Sequence, residues 1–262
     1  MTLLATRAPA SGHASLAPIT LAELVERSAL QTRVDRKYVV SPSMADDLIA
    51  VAPEGTRALE INGQRTFGYT SDYLDTPDLL AFHLAARRRR RRFKVRTRLY
   101  DASGLRHLEV KTRDGAHTIK TRLPGDHVVG DQGGDPVLSV AGATFVTQTL
   151  HAAGIDAGVV TALRPVLRTH YCRTTLHLED DASRVTIDRD LHWLDLVGGA
   201  TIARPDLVVI ETKSAGAASP MDRVLWRRGI RPTRISKYAT GLASLTPTLP
   251  HNRWARTLRR HF

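Results

Sequence analysis

The sequence predicts an α+β fold: about eight mostly antiparallel strands, with helices at the ends and in the connections. Three observations predict it. Phe93 to Tyr100 alternates strictly, with Lys94, Arg96 and Arg98 on one side and Val95 and Leu99 on the other, as the period of two in a strand requires. Two following segments repeat the pattern: Glu109, Lys111 and Arg113 oppose Leu108 and Val110, and Lys120 and Arg122 oppose Ile119. Similar charged alternations return at Arg33-Asp35-Lys37, Arg184-Asp188 and Glu211-Lys213, separated by short helical stretches that carry their own caps.

In chain order, residues 1–18 are rich in Ala, Ser and Pro and are expected to be disordered. Thr20 to Glu23 is a capping box for a helix to about Ser28. Thr32 to Val40 reads as a strand, and Ser41-Pro42 opens a helix to about Ala52. Phe67 to Leu74 is a strand rich in aromatic and hydroxyl residues, and Thr76-Pro77 opens a helix from Asp78 to about Arg87. Six consecutive arginines, Arg87 to Arg92, lead into the Lys94 strand. Gly125 to Pro136, with four glycines, reads as a loop, and Val137 to Ala153 as a helix stopped by Gly154. Pro165 to Leu178, Arg184 to Asp188 and Leu207 to Lys213 are strands. Helices follow from Ser219-Pro220 to about Gly229 and from Lys237 to about Leu245. No internal repeat and no boundary between two domains is visible. The expected division is a disordered 1–18, one domain over 19–246 and a basic tail over 247–262.

Hydrophobic residues at 42% and charged residues at 24% are ordinary for a globular chain, but a net charge of +12 and a pI near 10.5 are not. Such a surplus implies an anionic partner. One cysteine, Cys172, excludes an internal disulfide framework and fits a reducing compartment. No apolar run reaches the ~18 residues of a membrane span. Residues 1–18 lack the basic and apolar regions of a signal peptide. The expectation is therefore a cytoplasmic protein, with membrane association only through a membrane-protein partner. Of 38 cations only six are lysines: Lys37, Lys94, Lys111, Lys120, Lys213 and Lys237. All six fall in patterned segments, where a compact point charge differs in use from a planar guanidinium.

Two pictures accommodate the charged faces. An open sheet turns them to water, the common meaning of such alternation. A closed barrel turns them inward, and confining so many cations without a ligand would be unfavourable by many kcal/mol. The second picture makes sense when a polyanion fills the interior, and phosphate chains suit both the charge and the donor geometry.

An ordered series of short motifs resembles the vacuolar-transporter-chaperone (VTC) polyphosphate polymerase domain, of the triphosphate tunnel metalloenzymes and their CYTH relatives. The series runs Asp35-Arg36-Lys37-Tyr38, Tyr73-Leu74-Asp75-Thr76, Lys94 to Tyr100, Leu108 to Lys111, Lys120-Thr121-Arg122, Tyr171-Cys172-Arg173, Arg184 to Asp188, Ile210 to Lys213 and Ser236-Lys237-Tyr238. It covers roughly Thr20 to Leu245. The resemblance implies an eight-stranded antiparallel β-barrel tunnel with flanking helices. That tunnel would take ATP or another nucleoside triphosphate and transfer its γ-phosphate to a growing polyphosphate chain. Lys37, Arg96, Arg98, Lys111, Lys120, Arg173, Arg184 and Lys237 would be the catalytic phosphate ligands. Arg122 and Lys213 share faces with them and join the substrate-binding set. The implied cofactor is a divalent metal, Mn2+ or Mg2+, on Glu211, with Glu109 as a helper or as a partner for the cations.

Related hydrolases open with Glu-x-Glu-x-Lys, and here Arg33 takes the first position, which suits the polymerase branch. No P-loop, dinucleotide fingerprint, zinc spacing or nucleophile elbow competes for the chemistry. Two alternatives stand beside polymerisation: a tunnel hydrolase of triphosphate substrates, and a non-catalytic binder of polyphosphate or nucleic acid. Aromatic residues are 5% of the chain and do not interleave with the arginines, which argues against a nucleic-acid partner read by base stacking. In the tail, Trp254, Leu258 and Phe262 recur every fourth residue, a stripe expected to pack on its own domain.

Overall fold

Alternation of apolar and charged residues decides the strands, and the computed structural model describes residues 15–27, 34–115, 117–130, 134 and 136–262. The strands are β1 (Ala17–Ile19), β2 (Val34–Val40), β3 (Thr56–Leu59), β4 (Phe67–Asp75), β5 (Arg91–Tyr100), β6 (Leu105–Asp114), β7 (His117–Pro124), β8 (Val128–Gly130), β9 (Pro136–Leu138), β10 (Arg164–Leu178), β11 (Ser183–Asp195), β12 (Thr201–Arg204) and β13 (Val208–Ser214). The helices are α1 (Leu21–Arg27), α2 (Pro42–Ala50), α3 (Leu80–Ala86), α4 (Val140–Ala152), α5 (Pro220–Arg227), α6 (Lys237–Leu245) and α7 (Ala255–His261). Eight strands follow the antiparallel order β2-β13-β11-β10-β4-β5-β6-β7, so the α+β class and the strand count are as the sequence predicts. The chain forms two compact units. The first takes the described residues of 1–67, 172–190 and 205–233, and the second 68–171, 191–204 and 234–262.

In the first unit, β2 pairs with β13 and β13 with β11, both antiparallel. Tyr38, Val40, Val208, Ile210, Val185 and Ile187 bury one face against Ala45, Leu48 and Ile49 of α2 and Met221 and Leu225 of α5. Full burial of each such aliphatic side chain contributes roughly 1.5–3 kcal/mol. Ser41 caps α2, accepting from the Met44 N–H at 3.2 Å, with Pro42 at the first helical turn. Ser219 and Asp222 form a capping box on α5. Asp222 is wholly buried and also accepts from the Tyr38 hydroxyl and the Thr212 hydroxyl, each at 2.6 Å. One carboxylate thus anchors α5 over both β2 and β13.

In the second unit, β4 through β7 form an antiparallel meander. Phe93, Val95, Leu108 and Val110 pack under Ala81 of α3 and Val146 and Leu150 of α4. Asp75, at the end of β4, accepts from the backbone N–H groups of Ala81 and Phe82 at 2.8 and 2.9 Å and from the Tyr238 hydroxyl of α6. It therefore caps α3 and ties α6 to the same point. Burial pushes the Asp75 carboxyl above its ordinary range, against the pull of those hydrogen bonds. Helix α6 is also held by Trp193, whose indole N–H donates to the Lys237 carbonyl at 2.7 Å. A Cβ on Gly241 of α6 would lie 2.2 Å from Trp193 Cδ1, so only glycine permits this approach.

Several expectations need correction. Ala17 and Pro18 are not disordered but belong to β1, which pairs in parallel with β3; residues 1–14, Ser28 and Arg33 lie outside the described residues. The expected loop over 125–136 contains β8, which pairs with β9, and β9 takes the residues where a helix was expected to begin at 137. Helix α4 starts at Val140 behind the Ser139 cap. Helix α3 starts at Leu80, not Asp78, because Leu79 adopts φ +56° and breaks the helical path before it. The tail over 247–262 is part of the second unit: Trp254 is buried, 5.9 Å from the Phe82 ring, and Phe262 packs edge-on against Trp193 at 5.3 Å.

Candidate functional site

Register places the cations of the second unit in rows. Lys94 lies opposite Lys111, which lies opposite Lys120; Arg96 lies opposite Glu109, which lies opposite Arg122. Directly paired residues of antiparallel strands project to the same side, so these side chains share one face with Arg98. Tyr73 and Ser71 of β4 are opposite Arg96 and Arg98 and complete it.

Glu109 organises this face. It is 2% exposed and accepts from Arg96 Nε at 2.7 Å and from Lys120 Nζ at 2.5 Å, with Arg98 Nε at 3.9 Å. Burial pushes its carboxyl up, but Arg96, Arg98 and Lys120 outweigh burial and hold it far below the usual range. Both oxygens accept from cations, Oε2 from Arg96 and Oε1 from Lys120. Lys120 responds differently. Burial and the nearby guanidiniums bring it down to about 8 although Glu109 pulls the other way. The pair does not neutralise itself symmetrically, because one anion is shared among three cations.

Arg98 is also buried, donating to the Tyr171 hydroxyl at 3.1 Å and to Ser71 Oγ at 3.4 Å. Lys94 Nζ donates to Ser236 Oγ at 3.2 Å and lies 5.6 Å from the Tyr73 and Tyr238 ring centres. Lys237, the first residue of α6, sits with its ammonium 4.3 Å over the Tyr171 ring. Lys111 and Arg122 are exposed on the same face.

The first unit carries a second charged face. Lys37 lies opposite Glu211, and Glu211 opposite Thr186; Asp35 lies opposite Lys213, and Lys213 opposite Arg184. Glu211 Oε1 accepts from Lys213 Nζ at 2.6 Å, and Lys213 reaches Asp35 at 3.3 Å. Arg173 forks onto Asp188, at 2.6 and 2.8 Å. Burial raises the Glu211 carboxyl, and Lys37, Lys213 and Arg173 overcome it, holding the group charged well below its ordinary value.

Among the described residues no three His, Cys, Asp or Glu side chains gather as a metal cluster. A divalent ion bound mainly through substrate phosphates and water needs only one or two carboxylates, and Glu211 fits that requirement. Beside it, the Thr186 hydroxyl is buried and without a hydrogen-bond partner, an oxygen on the same side that a bound water or phosphate would satisfy.

Sequence reasoning gave no role to the aromatic lining, Tyr69, Tyr73, Tyr171 and Tyr238, although the last three stand in the motifs it singled out. Tyr69 stacks on Tyr171 at 5.5 Å, and Arg98 lies 5.4 Å from the Tyr69 ring centre. The signal was present, since Tyr69, Ser71 and Tyr73 alternate along β4 in the same phase as the arginines on β5. A cleft of about 310 Å3, lined by Arg168, His170, His192 and Trp193, holds none of these cations. Its Arg168 is instead paired with Asp72 at 2.7 Å.

An adenylate cyclase candidate from Bacillus halodurans shares 15% identity at a TM-score of 0.47, over 78% of this chain and 94% of its own. A Hippeastrum adenylyl cyclase candidate, described as having a dominant triphosphatase activity, shares 15% at 0.46, over 81% and 96%. A Pyrococcus horikoshii protein shares 12% at 0.44, over 80% and 98%. Among curated proteins none matches significantly. The VTC domain profile matches residues 32–246, most of the chain, and the chain therefore belongs to the VTC domain family.

Proposed function

We propose that this chain is a metal-dependent phosphotransferase of the polyphosphate polymerase kind, with ATP as donor and a polyphosphate end as acceptor. One observation carries the reading: in the second unit Lys94, Arg96, Arg98, Lys111, Lys120 and Arg122 share a face with Glu109, and the Lys237 ammonium lies over the Tyr171 ring. Membership of the VTC domain family supports it.

The chemistry asks little of the protein beyond charge and position. A terminal phosphate oxygen of the acceptor, already ionised, attacks the γ-phosphorus. The bond from that phosphorus to the β-γ bridging oxygen breaks, and ADP leaves with the electron pair. No general base is required. Lysines and arginines neutralise the equatorial oxygens and hold the reactants in line. Glu211 would hold a Mn2+ or Mg2+ ion, which when bound supplies further charge neutralisation on the phosphates. In the first unit Lys37, Arg173, Arg184 and Lys213 bind phosphate oxygens around it.

The test is product analysis with ATP and manganese. The expected products are ADP and chains that lengthen with time, with slow release of free phosphate. Release of phosphate or pyrophosphate with no chain longer than the substrate overturns polymerisation in favour of a tunnel hydrolase. Binding of polyphosphate without turnover leaves a binder.

A further inference from the structure

The arginine run Arg87 to Arg92 is not used by the chemistry above, and the second unit gives it a setting. Arg92 continues the row Arg98, Arg96, Lys94 along β5 and lies directly opposite Arg113, which continues Glu109 and Lys111 along β6. From Arg98 to Arg92 the row extends about 20 Å at ~3.4 Å per residue. At its end, Arg88 and Arg253 are near enough to Arg92, and Arg88, Arg113 and Arg234 near enough to Arg253, to repel its charge. Arg88 is set by a left-handed turn, φ +55°.

Three of these guanidiniums are positioned by backbone carbonyls: Arg92 by Arg89 at 2.6 Å, Arg113 by Gly115 at 2.7 Å and Arg253 by Ala85 at 2.5 Å. Each such bond uses one of five N–H donors and neutralises no charge. Burial and the charges of Arg113, Arg253 and Arg88 push the Arg92 pKa down, and burial with Arg88, Arg234 and Arg113 does the same to Arg253. No carboxylate opposes either shift. The nearby Asp114 pairs with Arg90 at 2.9 Å. The cluster is held in place and crowded with like charge, a state that a bound anion would relieve.

We infer that Arg88, Arg92, Arg113, Arg234 and Arg253 form an extension site for a linear polyanion, holding the part of a polyphosphate chain that projects beyond the Arg98–Lys94 row. This rests on the polyphosphate reading above. It implies that affinity grows with chain length past what the row alone accommodates, because the second contact becomes intramolecular.

The experiment measures binding of tripolyphosphate and of long-chain polyphosphate to the full chain, at two salt concentrations. The wild type is expected to bind the long chain at least about tenfold more tightly, with the excess reduced by salt. The triple variant Arg88→Gln, Arg113→Gln, Arg253→Gln is expected to keep tripolyphosphate affinity within about twofold and to lose that excess. The corresponding triple lysine variant is expected to keep most of it. Equal affinity for both lengths in the wild type, or an unchanged excess in the glutamine variant, overturns the extension site alone. No binding of either probe overturns the polyphosphate reading and the extension site with it. Loss of binding to phosphatidylserine vesicles or single-stranded RNA, with polyphosphate unaffected, reassigns the cluster and overturns the inference. Should the glutamine variant not fold, the wild-type length ratio and the lysine variant decide by the same criteria.

Discussion

The two units solve the problem of gathering like charges in opposite ways. In the first, Lys37, Arg173, Arg184 and Lys213 are interleaved with Asp35, Asp188 and Glu211, and Arg173 is locked bidentate on Asp188. In the second, seven cations face Glu109, and tyrosine rings and hydroxyls take much of the remaining contact. Near-neutral pairing needs no ligand to be stable. The second face gathers more cations, held in part by Glu109 and by ring faces that attract cations without cancelling them. In the function proposed above, Glu211 places the ion and the lysine and arginine rows grip phosphates.

Three changes press on this contrast. Glu211→Gln is expected to have the largest effect, lowering manganese-dependent turnover about 10³-fold while tripolyphosphate affinity changes little, since the cations remain. Unchanged turnover at saturating manganese would remove the metal from the first unit. Glu109→Gln leaves Arg96, Arg98 and Lys120 without their acid and is expected to lower stability at neutral pH by about 3 kcal/mol in denaturant unfolding. Added tripolyphosphate is expected to restore part of it. Because Glu109 titrates far below its ordinary 4.5, the wild-type contribution is full above that pH and fades as pH falls toward the depressed value. A variant as stable as the wild type would show that the rings alone hold the face.

The smallest effect concerns Lys120. Its ammonium, brought down to about 8, is charged below that pH and neutral above it, so KM for the phosphate substrate is expected to rise about severalfold from pH 8 to 9. Lys120→Arg should flatten that rise. A wild-type profile already flat across the interval would place the Lys120 titration elsewhere.

Much of the fold was legible because a strand writes its two faces into alternate letters. Lys94 to Arg98, Glu109 to Lys111 and Glu211 to Lys213 lie in strands as read, and Ser41, Ser219 and Ser236 cap helices as read. Short elements escaped. β3 and β12 are four residues each, too brief for a period to show, and β8 with β9 lies among glycines that read as loop. The division into two units was hidden because each is assembled from three separated segments, which leaves no linker to find. Glu109 was ambiguous for another reason: spacing places a carboxylate on a face but does not say how many cations converge on it.

The contact between Gly241 and Trp193 reaches further than its size. The same indole that leaves no room for a methyl group on α6 also holds the Lys237 carbonyl, and Lys237 begins that helix. The ammonium over Tyr171 is therefore indexed to a ring on β11, in the way a gauge block sets a tool. The place of one charge is thus kept by two residues that carry none.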